Sequence, residues 1–438
     1  GGSFTSDVSK YVAEGNKLVD DGSGNYTVAV DEKTAVAEAG GKGYTSLQNA
    51  IDAISGTGEV KLLSNTAEDI IISSGNITLN LNGCTLTNVS SDTISVKIGA
   101  TLTVTGDGTV DNKSNGRAAI FNEGTVILNG GTYDRTSETG SSADVSGGNS
   151  WYTICNHGTM TINEGVTVKN TGSFSSMIEN GYYSYGSSNP RNGYIAGTNA
   201  AKPTLIINNG SFIGGLNTVK NDDGGILEIN GGTYTNTTQA AILNWNKATI
   251  TDGTFECSAA NCVLNGAFAA DPSANNQGIL TITGGSFTST GTPIANHFSN
   301  EDVEVSGGTF SGALPDSYYA PGFKPVFENG HYVVKETVTV TFTGSGTNYT
   351  KSDVVTVGEK ITAPAGTIKP GYTVEGWYTD AELTDKWDFE NDVVSGEETS
   401  LVLYAKFVAV DTVLDYPCSA EDPITISSGI TAPDGYTY

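Results

Sequence analysis

The residues with the chemistry for catalysis are few in this 438-residue sequence, and they are spread along it. Two adjacent carboxylates stand at Asp222 and Asp223, and His157 lies between an asparagine and a glycine. Hydrolysis of a glycosidic bond uses two carboxyl groups at a set separation, and lyase chemistry needs a base such as Arg or Lys. The two aspartates, however, occupy a corner where other repeats carry an Asn-x-Gly turn. We therefore interpret them as turn residues and predict no catalytic residue.

Metal ligands are equally sparse. The three histidines, His157, His297 and His331, lie in separate repeats without Cys or carboxylate neighbours at ligand spacing. The five cysteines are too few and too irregular for a disulfide framework or a zinc site, and four of them sit in apolar strand contexts. The sequence predicts buried thiols, no metal site and no cofactor.

Aromatic residues gather in and beside insertions that interrupt a repeat. Three insertions are predicted, at residues 135–150, 181–200 and 266–278, and insertions in solenoids often emerge on the binding face. Ring faces stack on sugar C–H surfaces while Asn and Ser side chains meet sugar hydroxyls. The candidate ligand-binding residues are Trp151, Tyr152, Tyr182, Tyr183, Tyr185 and Tyr194. The alternative is that these rings pack the loops onto the repeats.

The repeat that carries these insertions has a period just above twenty residues. Its clearest copy runs from Ile279 to Phe287 and consists of four alternating residues, a Gly-Gly bend and an aromatic residue. A second ladder precedes several copies, as in Ile120-Phe121-Asn122 and Ile154-Cys155-Asn156. Such short strands bury a face only by stacking, and asparagines at a repeated bend can bond from coil to coil. The pattern predicts a parallel β-helix.

Charge narrows the range of partners. The chain has 21 basic and 48 acidic residues, a net charge of -27. That field argues against nucleic acid or an anionic membrane as a partner and favours solubility or cation affinity. No apolar run is long enough to cross a bilayer, so no membrane span is predicted in this sequence.

One amphipathic helix is predicted over residues 44–55. Thr45 is the expected N-cap, with Gln48 three residues later. The apolar stripe is formed by Leu47, Ala50, Ile51 and Ile54. A helix in this position would cover the open end of the first coil, since an exposed stack edge invites aggregation.

This helix signal, followed by Ile77–Gly83 and Ala100–Gly106, resembles the right-handed parallel β-helix modules of bacterial surface proteins, which share the pectate-lyase-like fold. The resemblance covers residues 31–336 and implies an all-β, right-handed solenoid with an N-terminal capping helix. Because that fold carries lyases, hydrolases and adhesins alike, the resemblance indicates architecture and leaves activity open.

Residues 337–408 form a different unit. Gly371–Asp380 reads GYTVEGWYTD and Leu401–Phe407 reads LVLYAKF, and both resemble the Listeria-Bacteroides repeat, also called the internalin B-repeat. Phe407 stands where that repeat usually has Trp. The resemblance implies a small β-grasp-like domain of secreted, surface-attached proteins. Four rings can supply its core, namely Trp377, Tyr378, Trp387 and Tyr404.

The two ends of the chain complete the predicted organisation. Residues 1–30 align with residues 307–334, so we interpret them as the closing unit of an upstream repeat module. Residues 409–438 read as a connector or as the start of a further module, because prolines and glycines punctuate them.

Together these observations predict a non-enzymatic, extracellular protein of the bacterial cell surface. It would be an adhesin or surface-array protein whose β-helix stalk presents loops to a host or microbial glycan or surface protein. The alternatives are a polysaccharide lyase or hydrolase that uses the β-helix groove, and a structural spacer without a ligand. A lyase or hydrolase should place a carboxylate cluster on the concave strand face with Arg or Lys within hydrogen-bond reach. An adhesin should show rows of Ser, Thr, Asn and aliphatic residues there.

Overall fold

The structure is a computed structural model of the chain. It describes residues 2–139, 149–170, 172, 174–182, 202–222, 224–266, 278–296, 302–366 and 368–410. The described residues separate into two compact units, one within residues 2–320 and 325–334, the other within 321–324 and 335–410. Most residues of the three predicted insertions lie outside the described residues.

The first unit is a parallel β-helix in which each coil contributes one short strand to each of three sheets. The first of these, the aliphatic sheet, alternates buried Leu, Ile, Val, Ala or Met with outward Thr and other polar residues, as a sheet with one face in the core requires. Its parallel strands are Thr57–Leu62, Asn76–Asn80, Thr101–Thr105, Thr125–Leu128, Thr159–Ile162, Thr204–Ile207, Ile226–Ile229, Lys247–Ile250, Ile279–Ile282 and Val303–Val305. Two antiparallel strands, Ala37–Ala39 and Lys42–Tyr44, complete it.

The second sheet, the aromatic sheet, follows the Gly-Gly bend. Its strands in the coils are Thr66–Ala67, Thr85–Thr87, Thr109–Asp111, Gly131–Asp134, Val166–Asn170, Ser211–Gly214, Thr233–Asn236, Thr254–Cys257, Ser286–Ser289 and Thr309–Phe310. Neighbouring inward rings stack with centroids 4.5 to 4.9 Å apart, from Phe212 through Phe310. Gly285 has φ +98, and a Cβ there would lie 3.1 Å from the carbonyl oxygen of the coil below, which explains the glycine before each ring.

The third sheet, the asparagine sheet, is built from the Ile-x-Asn ladder. Its strands are Ile70–Ile72, Ile94–Val96, Ile120–Asn122, Ile154–Asn156, Ile178–Asn180, Asn217–Asn221, Ala240–Asn244, Val263–Asn265 and Ile294–Asn296. The ladder asparagines are all half-buried or buried, and each Nδ2 donates to the next Oδ1 at 2.7 to 3.0 Å. The predicted coil-to-coil amide bonding is therefore confirmed, and so is the parallel β-helix itself.

The predicted helix is present as Leu47–Asp52, with Leu47, Ala50 and Ile51 buried. The prediction of Thr45 as N-cap is wrong. Ser46 caps the helix, its Oγ accepting from Asn49 N at 3.2 Å. The carboxylate of Glu68, from the following coil, accepts two further backbone N–H groups of the first turn. The first turn is held from outside the helix, which satisfies donors that local sequence would leave open.

Antiparallel strands end the parallel stack. Thr309–Phe310 pairs with Tyr332 and Val333 of the strand His331–Gly344, which Phe323–Glu328 flanks. Residues 2–30 repeat this arrangement in a three-stranded antiparallel sheet of Ser3–Phe4, Tyr26–Val30 and Asn16–Asp20. A 3-10 turn lies between the strands in each copy, at Ser9–Tyr11 and Asp316–Tyr318. The boundaries proposed from the sequence for these segments stay predictions.

The second unit is a small mixed sheet. Its strands are Thr350–Thr356, the C-terminal part of His331–Gly344, Ser400–Ala409 and Tyr372–Tyr378 in that order, with one parallel pair in the middle. Phe342 and Trp377 meet edge to face at 5.0 Å in the core, and Trp387 and Leu403 pack beside them. The unit is all-β in its described residues. None of the helices in the described parts of the chain is long and apolar enough to cross a membrane.

Candidate functional site

The outward-pointing positions of the asparagine sheet carry an unusual group of charged residues. In each strand the residue before the ladder position alternates to the opposite face from the asparagine. Most coils place an apolar or small residue there, but two neighbouring coils place Glu179 and Lys220, which are paired in register. Adjacent strands bring such side chains within direct reach of each other, so a negative and a positive group meet on this face.

Two close acid–base side-chain pairs form a buried charged cluster, defined here as His157, Glu179, Lys220 and Asp222. Lys220 Nζ lies 2.6 Å from Asp222 Oδ2, and His157 Nε2 lies 3.6 Å from Glu179 Oε2. The side chains of Glu179 and Asp222 have no exposed surface, and Lys220 retains 11%. Lys220 Nζ also stands 3.8 Å from the ring centroid of Trp245. The cluster is therefore removed from solvent on every member.

Burial dominates the electrostatics of this cluster. It raises the pKa of Glu179 above its ordinary value, and the nearby His157 opposes that shift. Asp222 raises the pKa of Glu179 further while Lys220 lowers it, so the other three members of the cluster all act on this carboxyl. A raised pKa favours the protonated form of a carboxyl, which is the form that general acids use.

Two rings enclose the histidine. The His157 ring meets the Phe121 ring edge to face, with centroids 5.1 Å apart. The centroid of the Tyr182 ring lies 5.0 Å from that of His157. Tyr182 is only 7% exposed, so its ring packs onto the coil as the alternative interpretation of the loop aromatics expects. Of the other tyrosines predicted for this insertion, Tyr183, Tyr185 and Tyr194 lie outside the described residues.

The remaining two candidates, Trp151 and Tyr152, lie together at the end of the first insertion. Their rings meet edge to face at 5.4 Å, and both side chains are half-buried. The backbone N–H of Trp151 donates to Glu138 Oε2 at 3.2 Å. The pair therefore has a fixed backbone and retains accessible surface.

That fixed position depends on a buried arginine. Arg135 is fully buried, pairs with Glu138 at 3.3 Å and donates through Nη2 to Asn149 O and Oδ1 at 2.6 and 2.7 Å. Burial lowers the pKa of its guanidinium. The sequence interpretation of 135–150 as a flexible loop is wrong at both described ends, because Arg135 joins the start of the segment to Asn149 near its end.

The charged cluster was not predicted from the sequence. His157 has no carboxylate at ligand spacing along the chain, but stacking brings Glu179 to it from the next coil. The turn at Asp222 is present, with Gly225 N donating to Asp222 O at 3.0 Å, yet the side chain also holds Lys220. The position of two members within the repeat could have indicated the cluster. Glu179 and Lys220 both directly precede ladder asparagines, so they occupy equivalent positions in neighbouring coils.

Other candidate chemistry is limited in the parts of the chain that the structure describes. Those residues contain no group of three His, Cys, Asp or Glu side chains arranged to hold a metal ion. Their four cysteines are buried and form no disulfide. His331 is exposed and its Nδ1 lies 3.2 Å from Asn329 O, while His297 is outside the described residues.

The second unit is the part of the chain that a known family model matches. Both motifs quoted above lie on a pair of neighbouring strands, Tyr372–Tyr378 and Ser400–Ala409. Trp377 of the first motif packs edge to face against Phe342 in the core. Residues 339–406 match the Listeria-Bacteroides repeat domain. This repeat domain is typical of bacterial surface proteins, and the match confirms that part of the sequence resemblance.

Two proteins of Evansella cellulosilytica are also similar to the chain over 69 residues. The first, named "Putative Gly-rich membrane protein", is 41% identical over 16% of this chain, and the second, named "Putative membrane protein", is 38% identical over 16%. The matched residues amount to 8% and 10% of the lengths of these relatives. The similarity therefore concerns one module of much longer proteins.

Proposed function

We propose that this chain belongs to a non-enzymatic protein of the bacterial cell surface, in which the β-helix is a stalk that presents loops to a glycan or to a surface protein of a host or another microbe. The observation that carries the proposal is the repeat domain at residues 339–406, because that domain is typical of surface proteins. The names of the two matching relatives, both called membrane proteins, agree with a surface location. On this view the protein is secreted and acts as an adhesin.

Trp151 and Tyr152 are the described residues best suited to contact a ligand. Their rings pack edge to face, and the backbone N–H of Trp151 is bonded to Glu138, so less conformational entropy is lost when a partner binds than from a free loop. Aromatic anchors of this kind carry much of the energy in protein recognition surfaces. Tyr182 serves instead as packing for His157.

The test is binding of the full chain to a glycan array and to extracted surface proteins of candidate host cells. We expect Trp151→Ala and Tyr152→Ala each to weaken binding about tenfold or more, as loss of an aromatic anchor does. Tyr11→Ala is the matched control, because Tyr11 is a highly exposed ring elsewhere in the first unit. Equal binding by all four proteins would remove Trp151 and Tyr152 from the site. Absence of binding by the unaltered chain would favour the spacer.

A second function, that of a polysaccharide lyase or hydrolase with kinship to the pectate-lyase-like enzymes, is favoured by one observation. Glu179 and Asp222 form the carboxylate cluster beside a lysine that such an enzyme would need. Against it, neither carboxylate has exposed surface, and Lys220 is occupied by Asp222 and Trp245. A substrate does not reach these groups in this structure.

Incubation with uronate-containing and neutral polysaccharides separates the two functions. We expect the unaltered chain to release no reducing ends and no unsaturated sugar products. Release that disappears in Glu179→Gln, while the circular dichroism spectrum stays unchanged, would replace the adhesin proposal with the enzyme. Binding on the array without release would support the adhesin.

A further inference from the structure

The Lys220 and Asp222 side chains are placed for a reaction that neither the stalk nor the ligand site requires. They project from the same face of the strand Asn217–Asn221 and the turn that follows, with Nζ and Oδ2 2.6 Å apart. Glu179 is the in-register neighbour of Lys220 on the adjoining strand. An amine, a carboxyl group and a second carboxyl group are therefore enclosed together.

We propose that Lys220 and Asp222 become joined by an intramolecular amide bond, formed without any added enzyme, with Glu179 as the carboxyl group that transfers protons. The product is a covalent link between two side chains of the asparagine sheet.

The reaction balances with these groups alone. A proton passes from the Lys220 ammonium to the Asp222 carboxylate, which leaves a neutral amine and a neutral carboxylic acid. The lone pair of Nζ forms a bond to Asp222 Cγ, one Cγ–O bond breaks, and that oxygen departs as water. Glu179 gives a proton to the departing oxygen and takes one from the nitrogen, so it ends unchanged. No oxidant or cofactor is consumed.

The surroundings favour the neutral pair that must react. A charge pair without access to water pays a desolvation penalty, so transfer of one proton within the pair costs little in a buried site. Trp245 covers the amine at 3.8 Å, and the two side chains retain 11% and 0% of their exposure. Glu179 is the in-register neighbour of Lys220, and burial raises its pKa, which favours the protonated form that proton transfer uses.

The chain contains its own control. Lys351 and Asp353 have the same Lys-x-Asp spacing on the strand Thr350–Thr356, and their Nζ and Oδ2 atoms lie 2.8 Å apart. Their side chains are 49% and 43% exposed. Water stabilises both ions there and competes for the carbonyl carbon, so we expect this pair to stay a plain ion pair.

Mass spectrometry of the full, folded chain tests the proposal. We expect an intact mass lower than the sequence mass by one water. After trypsin, Lys220 should resist cleavage and the linked peptide should contain both Lys220 and Asp222, while Lys351 is cleaved normally. An intact mass equal to that of the sequence, or a water loss located elsewhere, would overturn the proposal.

Two conservative variants separate the amide from other water losses. Lys220→Arg keeps the charge but cannot form this amide, so the full sequence mass should return. A cyclic imide formed by Asp222 with the next backbone N–H would persist in Lys220→Arg, and its persistence would refute the link. Glu179→Gln should leave most of the chain unlinked. Full linkage in that variant would remove Glu179 from the mechanism. These masses do not depend on ligand binding, so the result is independent of the proposed function.

Discussion

Two Lys-x-Asp ion pairs in the described residues have similar geometry and very different surroundings. Lys220 and Asp222 lie on the outer face of the asparagine sheet with 2.6 Å between Nζ and Oδ2, and Lys351 and Asp353 lie on a strand of the repeat domain with 2.8 Å. The first pair is buried beneath Trp245, whereas the second is about half exposed. Similar Nζ–Oδ2 distances thus occur in a buried pair and in a pair that is about half exposed.

The comparison shows that distance alone does not measure the value of an ion pair. An exposed pair gains little, since water screens it and the side chains lose freedom. Both members of a buried pair have already lost their contacts with water, so removal of one member leaves the other as an uncompensated buried charge. Burial therefore makes Lys220 and Asp222 mutually dependent.

The largest expected effect comes from Lys220→Met, which leaves Asp222 as a buried carboxylate with neither the amide link nor an ion-pair partner. We expect the free energy of unfolding to fall by about 3–5 kcal/mol. The measurement is urea unfolding, followed at the transition of the unit that carries the substitution. The matched control is Lys351→Met in the second unit, for which we expect about 0–1 kcal/mol. Similar losses in both variants would contradict the role given to burial.

A smaller effect is expected at the rings above the two kinds of lysine. In the unlinked Glu179→Gln background, where Lys220 keeps its ammonium, Trp245→Leu removes the ring 3.8 Å from Nζ, and a desolvated cation–π contact is worth about 2 kcal/mol. Tyr372→Leu is the control, because Lys369 Nζ lies 3.9 Å from the Tyr372 ring on a more accessible surface, where we expect about 0.5–1 kcal/mol. Thermal unfolding of each variant gives the values. A larger loss in the control would reverse the ranking.

The effect expected from Glu179 depends on pH, and it is measured in the unlinked Lys220→Arg background so that the amide bond does not contribute. The folded-state pKa of this carboxyl is raised above its ordinary value of 4.5, so the folded chain binds more protons than the unfolded chain between the two pKa values. Stability relative to Glu179→Gln is therefore full below pH 4.5 and declines as pH rises, by up to about 1.4 kcal/mol per pH unit for one proton. Unfolding curves from pH 4 upward, at roughly unit spacing, measure that difference. A flat or rising difference would show that burial does not control this group.

Periodic features could be predicted from the sequence because they recur. The Ile-x-Asn ladder and the glycine before each ring appear in coil after coil, so the asparagine and aromatic sheets follow from their spacing. Glu179, Lys220 and His157 each break the pattern once, at an outward position where almost any residue is tolerated. Only the register of the stacked coils brings them together.

The helix cap illustrates the same limit. Thr45 and Ser46 are both acceptable caps by sequence, and local rules cannot choose between them. The choice is made by Glu68, which reaches the helix from the following coil and accepts from Ser46 Oγ at 3.0 Å. Arg135 likewise lies in a Ser- and Gly-rich stretch, and its burial results from partners such as Asn149 that lie far along the chain.

The antiparallel pairing of Thr309–Phe310 with Tyr332 and Val333 has a consequence for how such chains vary. Reversal of strand direction leaves an edge that does not match a further parallel turn of the coil, so growth stops there. Because the aromatic stack beneath it is assembled from near-equivalent rings, whole turns can be duplicated or deleted upstream without rebuilding this terminus. Reach can then be adjusted in steps of one turn during evolution, while the terminating segment stays the same.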